Sequence, residues 1–230
     1  MISVVSLHWK RTDNTRLISQ TLLRHPKVDE VIVWNNNPDV DTVDCAEGVT
    51  VINSSKDLGL NTRFAAAVLA ANDCILTVDD DILPNSQTVT SLYSAWESSP
   101  EVIHTLHGKN PTDEDEYPWV GDPSPLTSVE GDSYSEARIS LTRCTMYHKK
   151  FAQGYFEVEP RVRETNHSTL HNGEDIILSY LARSHSGSDV RVYDLEAIEL
   201  PAPFAIHGRA GHREYRTLLL RRCQEFFQIP

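Results

Sequence analysis

The sequence predicts an α/β fold, with a mostly parallel central sheet covered by helices on both faces and a smaller, less regular second half. Three observations lead there. Apolar strand-like runs alternate with helical patterns through the first hundred residues, the order that generates parallel sheets. The chain has 230 residues, enough to bury one large core. The apolar run "CILTV" ends abruptly on Asp79, Asp80 and Asp81, placing chemistry at the carboxyl end of a strand, where open α/β sheets bind ligands.

The elements follow in order. "ISVVSL" (2–7) reads as a buried strand, and "TDNTRLISQTLLRHP" as a helix that Thr12 or Asp13 caps and Pro26 closes. "VDEVIVWNNN" (28–37) is a second strand ending in turn-forming asparagines, and "GVTVINSS" (48–55) a third. "NTRFAAAVLAAN" (61–72) has strong helix propensity, and "CILTV" (74–78) is the fourth strand. Beyond Pro84, Val89, Leu92, Tyr93 and Trp96 fall at i, i+3, i+4 and i+7, an amphipathic helix stopped before Pro100. "EVIHTLHG" (101–108) and "ARISLTRCTMYH" (137–148) each read as one strand. "NGEDIILSYLARSH" (172–185) is a helix starting at Asn172 or Gly173, and "DVRVYDL" (189–195) a short strand. "HREYRTLLLRRCQEFF" (212–227) closes the chain as a docking helix with Tyr215, Leu218, Leu219, Cys223, Phe226 and Phe227 on one stripe. No repeat or linker splits the chain. Residues 1–230 are read as one domain, divided near residue 108 into a ligand-binding first half and a second half.

Composition narrows the function classes. The formal net charge of −12 argues against a broad nucleic-acid surface. No window approaches the ~20 apolar residues of a membrane span. As written, the chain reads as cytoplasmic; a leader or anchor ahead of it would place it instead in the secretory lumen. The four cysteines are widely spaced without a C-x-x-C pair, which disfavours zinc. Acidity is concentrated in residues 110–136, a long excursion without Lys or Arg.

Adjacent strand residues face opposite sides, so Asp79 and Asp81 are expected to share one side while Asp80 points away. Two carboxylates there make a hard-oxygen site for Mg²⁺ or Mn²⁺, and a diphosphate can complete the shell. The alternative is a solvated acidic turn. Arg11 and Arg63 each follow a strand of the same sheet and lie near a helix start, where they suit phosphate or an aspartate; the alternative for each is a surface charge. Glu174 and Asp175 open a helix, a place that acidic residues also favour for electrostatic reasons alone.

Taken together, "LHWKRTDNTRLISQTLLRHPKVDEVIVWNNNP", "LNTRF", "ILTVDDDI", "ARISLTRCTMYHKKF" and "NGEDIILSYL" resemble the exostosin-type glycosyltransferase domain, glycosyltransferase family 64, in the same order over most of the chain. The resemblance implies a GT-A fold, with a Rossmann-like nucleotide half joined to an acceptor half. It also implies a UDP-sugar donor, Mn²⁺, a glycan or other hydroxyl acceptor, and retention at the anomeric carbon. It gives Arg11, Asn35, Asn61 and Arg63 to the nucleotide. Asp79, Asp80 and Asp81 go to ribose and metal, with Asp81 the direct ligand, and Asp175 to the reacting sugar beside Glu174. His8 borders the base on this reading. In the tail, His207, Arg209, His212 and Arg213 are candidates to fold over the donor, with Arg209 on the diphosphate and His212 on the metal; the alternative is polar surface before a helix.

Two rivals remain at this level. One is an inverting family-2-like transferase with Asp175 or Glu174 as general base. The other is a non-catalytic nucleotide- or sugar-binding protein of the same fold. The Q-x-x-R-W of processive transferases is absent, and "LHWKRTDN" lacks the glycines of a nucleotidyltransferase loop.

Overall fold

The computed structural model describes residues 1–112, 114, 116–118, 127–128, 133–163, 172–203 and 211–229. The first half follows the predicted alternation: β1 (Ile2–His8), α1 (Thr12–Leu23), β2 (Val28–Asn35), β3 (Val49–Asn53), α2 (Thr62–Leu69), β4 (Cys74–Val78), β5 (Ile82–Pro84) and α3 (Ser86–Ser98). Then come β6 (His104–Thr105), β7 (Gly108–Lys109), β8 (Thr127–Ser128), β9 (Ser135–Ala137), β10 (Ile139–Ser140) and β11 (Cys144–His148). The chain continues with α4 (Lys149–Arg163), α5 (Glu174–Ser186), β12 (Val190–Val192), β13 (Ala197–Glu199) and α6 (His212–Phe227).

Among the described residues, nine strands form one sheet in the order β3-β2-β1-β4-β11-β6-β12-β9-β8. The first four are mutually parallel. Beyond β4 the sheet becomes mixed: β11 runs antiparallel to both β4 and β6, and β12 pairs parallel with β6 but antiparallel with β9. Residues on both sides of the predicted division at 108 therefore share one sheet.

The apolar strand runs exist because both faces of the sheet are buried. Val5, Ile32, Ile75 and Tyr147 enter one core with α2, α4, α5 and α6. Val4, Val31, Val33, Leu76 and Met146 enter the other with α1 and α3. Neighbours on a strand thus serve opposite cores, as period-2 alternation requires.

Several expectations are corrected. The predicted strand 101–108 is two short strands in different sheets, β6 in the main sheet and β7 paired with β10. The predicted strand 137–148 is divided among β9, β10 and β11, with a turn at Thr142–Arg143. Neither Thr12 nor Asp13 caps α1; its N-cap position is Arg11, with no side-chain cap bond. On α6 the buried residues are Arg216, Leu219, Leu220 and Cys223, while Leu218 is exposed. The rest of the predicted stripe holds, with Leu219 and Cys223 buried and Tyr215, Phe226 and Phe227 packed against the same core, and Arg216 joins the buried face through an ion pair. α4 was not foreseen: Gly154 and Pro160 lie inside it, and both lower helix propensity. Packing outweighs that penalty through Phe151, Ala152, Tyr155 and Val162.

Candidate functional site

Strand β4 delivers the three aspartates to the carboxyl end of the parallel sheet, but the strand stops at Val78. Asp79 N–H donates to the Arg143 carbonyl at 2.7 Å, and a turn follows, with Ile82 N–H to the Asp79 carbonyl at 3.4 Å. The expected alternation therefore fails, since period-2 geometry holds only within a strand. Asp80 and Asp81 share Arg11, whose Nη1 lies 2.5 Å and 3.2 Å from them, and Asp79 turns instead to Arg63 Nη1 at 2.8 Å.

Each aspartate thus meets a guanidinium. Arg143, which sequence reasoning missed, donates through Nη2 to Asp81 at 3.0 Å and to Glu199 at 2.6 Å. A lone arginine inside a strand-like segment carries no local signal; only the turn at Thr142–Arg143 brings it to the tip. The segment after β13 is strapped across the same place. Leu200 N–H donates to the Asp81 carbonyl at 2.8 Å. Asn14 Nδ2 donates to the carbonyls of Asp80 and Pro201, each at 2.9 Å, and Arg11 Nε to that of Pro203 at 3.2 Å. Burial is the largest influence on the Asp80 carboxyl, and with the charges of Asp79 and Asp81 it outweighs Arg11, so the pKa is pushed up to about 6.

His8 and Asn35, both assigned to the donor by resemblance, form a buried hub at the ends of β1 and β2. Asn35 Nδ2 donates to the Val40 carbonyl at 2.7 Å and to Asn53 Oδ1 at 3.1 Å, and its Oδ1 accepts from Asn37 N–H at 3.0 Å. That oxygen is an acceptor, so His8 Nδ1, 2.8 Å away, carries the proton, and Nε2 accepts from Thr12 Oγ1 at 3.1 Å. Burial lowers the His8 pKa despite the Asn35 bond, favouring this neutral form. Asn36 Nδ2 pins the loop before α2 through Gly59 O and Thr62 Oγ1, both at 2.9 Å. Asn61 occupies the N-cap position of α2 without a side-chain cap bond, half-buried beside Arg63.

Arg63 connects the tip to a second cluster. Its side chain is only 4% exposed. Besides Asp79 it donates to the carbonyls of Thr142 (3.0 Å) and Leu60 (3.2 Å), and its Nε lies 3.5 Å from Glu174 Oε1. Glu174 Oε1 also accepts from Thr142 Oγ1 at 3.3 Å, while the buried Oε2 has no partner among the described residues. Burial, then the adjacent Asp175, raise the Glu174 pKa against Arg63 and Arg216. Asp175 is fixed at both oxygens: Oδ1 accepts from Ile176 N–H at 3.0 Å and Oδ2 from Arg216 Nη2 at 2.5 Å. Arg216 also lies over the Tyr117 ring, 4.2 Å from its centroid. Burial pushes the Tyr117 hydroxyl up to about 12.

This cluster needs Gly173. The residue before α5 has φ +82°, and a Cβ there would meet Leu219 Cδ2 at 2.5 Å. Only glycine tolerates both, so α5 starts close against α6 with Glu174 and Asp175 turned inward. His212 opens α6 with Nδ1 3.3 Å from Asn172 Nδ2. Arg213 is taken by Glu116 Oε2 (2.6 Å) and the Tyr117 carbonyl (2.9 Å). His207 and Arg209 lie outside the described residues.

The oxygen donors fit a divalent cation in part. Among the described residues no group of three or more His, Cys, Asp and Glu has the geometry of a complete metal cage. Mg²⁺-type sites often use one or two carboxylates and draw the remaining oxygens from a phosphate ligand. Asp79 engages Arg63 through Oδ1 alone, whereas Asp81 has Arg143 on Oδ1 and Arg11 on Oδ2.

Comparison with known proteins follows the same lines. The model of the glycosyl transferase family 64 domain matches residues 2–230. Among curated proteins, the chain is 24% identical over 188 residues to glycosylinositol phosphorylceramide mannosyl transferase 1 of Arabidopsis thaliana, covering 76% of this chain and 53% of that protein. The chain thus spans about half the length of this relative. Among solved structures, S. aureus TarS 1-349 in complex with UDP-GlcNAc superposes with a TM-score of 0.55 at 13% identity, covering 91% of this chain and 61% of the other. That likeness shows a shared α/β fold.

Proposed function

The chain belongs to the glycosyl transferase family 64 domain family, and on that premise we propose that it moves a sugar from a nucleotide-sugar donor, UDP-linked, to a hydroxyl acceptor. One observation carries the reading. The tip at the end of β4 and the buried Glu174–Asp175 pair are joined by one residue, Arg63, with an ion contact to each. A transferase needs both kinds of charge. Breaking the bond to a nucleoside diphosphate builds negative charge on the departing group and positive charge on the anomeric carbon.

On this reading the guanidinium group of Arg11 serves the diphosphate end. Asp79 and Asp81 are the residues that would hold Mn²⁺ or Mg²⁺, which when bound supplies Lewis-acid stabilisation of the leaving diphosphate. Asp175, held by Arg216, supplies a fixed negative charge on the sugar side. Both its oxygens are engaged, which suits electrostatic stabilisation and positioning better than proton abstraction, and so favours retention. The GT-A division of labour, with residues 1–108 on the nucleotide and 109–230 on the acceptor, belongs to the same proposal.

The inverting alternative has an observation of its own. Glu174 combines a buried Oε2 that has no partner among the described residues with a raised pKa, properties that suit a general base.

The deciding experiment titrates UDP into the protein with Mn²⁺ and then with EDTA, and follows transfer from a panel of UDP-sugars to alcohol acceptors. Manganese-dependent UDP binding and a transferred sugar are expected, and proton NMR of the product gives its anomeric configuration. A folded protein that binds UDP under neither condition overturns the proposal. An inverted product moves the base to Glu174.

A further inference from the structure

We infer that Arg143 is an exchangeable counter-ion of the tip: without donor its guanidinium covers Asp81, and on donor binding it passes to the diphosphate. The inference rests on the nucleotide-sugar reading above and adds a phosphate-contacting residue to it.

The three guanidinium groups at the tip differ in how firmly they are held. Arg63 is buried and committed to Asp79, two carbonyls and Glu174. Arg11 is 13% exposed and lies on Asp80, Asp81 and the Pro203 carbonyl. Arg143 is 28% exposed, the most open of the three, and both its partners are carboxylates. One of these, Glu199, is 63% exposed, and an ion pair so open to water is weak. The backbone of Arg143 is nonetheless fixed, since its carbonyl accepts from Asp79 N–H at 2.7 Å. A stationary stem with a loosely held head can change partners without moving the turn.

Asp81 supplies the reason to change. It carries two guanidinium groups, Arg143 on Oδ1 and Arg11 on Oδ2. A divalent cation on Asp81 would add a third cation to one carboxylate, and like charges that close repel. Arg143 is the group free to leave. A diphosphate beside the tip then offers what a guanidinium binds best, paired anionic oxygens in one plane. The charge count agrees. Among the described residues, Asp79, Asp80, Asp81 and Glu199 stand against Arg11, Arg63 and Arg143, so these groups are close to balanced before a cation and a diphosphate arrive as a pair.

The test is calorimetric, on wild type, Arg143→Ala and Arg143→Lys, with three probes: Mn²⁺ alone, UDP with Mn²⁺, and uridine. For Arg143→Ala, UDP with Mn²⁺ is expected to bind about tenfold more weakly, the loss of one charge-assisted contact. Mn²⁺ alone is expected to bind as well as to wild type or several-fold more tightly, because Asp81 has lost a competitor. Uridine, which has no phosphate, is expected to bind unchanged, and Arg143→Lys to fall between. A purely structural role would weaken all three probes together, and that result would overturn the inference. So would UDP affinity within twofold of wild type.

Glu199→Gln guards against a folding defect in the alanine variant. It removes the exposed anchor and leaves the guanidinium in place, so UDP with Mn²⁺ is expected to bind equally or more tightly; a tenfold loss would overturn the inference. If wild type binds no UDP, the nucleotide-sugar reading falls and takes this inference with it. If wild type binds and Arg143→Ala binds equally, the inference alone falls.

Discussion

Asp81, at the tip, keeps 16% of its side chain exposed and shares two guanidinium groups at 3.0 and 3.2 Å. Asp175, on the far side of Arg63, keeps 7% and is held by Arg216 at 2.5 Å. The groups are the same and the settings differ most on the outer arm of the tip, where Arg143 and its second partner Glu199 are 28% and 63% exposed. Near water an ion pair contributes little and exchanges readily. In the interior the same pair is indispensable once formed, because removing one partner strands a charge that water cannot reach. The difference teaches which cluster is built to receive a ligand and which to hold a fixed field beside it.

The sharpest way to break this comparison is Arg216→Met. It leaves Asp175 buried and uncompensated, and about 3–5 kcal/mol of stability should be lost, measured by urea unfolding. Adding Asp175→Leu to the same chain should recover much of the loss, because no charge is then stranded. If the single variant is as stable as wild type, the buried cluster is no different from the tip.

Asp175→Asn keeps the shape and removes the charge. On the proposed function, kcat for transfer should fall by about 10²-fold or more, while UDP binding with Mn²⁺ stays within about twofold. Wild-type turnover by Asp175→Asn would remove Asp175 from the chemistry.

Asp81→Asn is the counterpart at the tip, and its profile should be reversed. Manganese-dependent UDP binding should weaken by about tenfold or more. Stability should change by only about 1 kcal/mol, because both arginines keep other anionic partners, Asp80 for Arg11 and Glu199 for Arg143. A large loss of stability here would show the tip to be a structural staple.

The two regions were not equally legible in the sequence. The tip was visible because its parts are local: a β-rich run ending in three aspartates, and arginines next to helix starts. Even there, Asp79 and Asp81 do not share a side as strand alternation predicts, since a turn replaces the strand after Val78. The buried cluster was half visible. Glu174 and Asp175 stand together in sequence, but Arg216 sits among the polar residues of α6, and nothing nearby marks it as buried. Arg143 and Asn14 were silent for the same reason, because their roles come from contacts with residues 62 and 66 positions away. In the fold, β1 to β4 and α1 to α3 could be read from apolar runs and proline stops. The short pair β5 and β13 could not, since each strand exists only by pairing with a segment more than a hundred residues away.

The last expected effect concerns Asp80, and it tests whether the tip is uniformly exchangeable. Unlike Asp81, Asp80 is buried, and its folded-state pKa of about 6 lies above the unfolded value of about 4. Between those values the folded protein holds more protons than the unfolded chain, so this residue makes stability fall as pH rises. Its contribution is fully present below about pH 4 and lost as pH passes through 6. Asp80→Asn removes that titration. The variant should gain on wild type as pH is raised from 4 to 7, by at most about 2.7 kcal/mol above pH 6, about 1.4 kcal/mol for each pKa unit, read from urea midpoints across the range. Parallel curves would mean that Arg11 compensates Asp80 fully. Divergence in the stated direction would put the boundary between the two settings inside the tip itself, between Asp80 and Asp81, one residue from the position assigned to the donor.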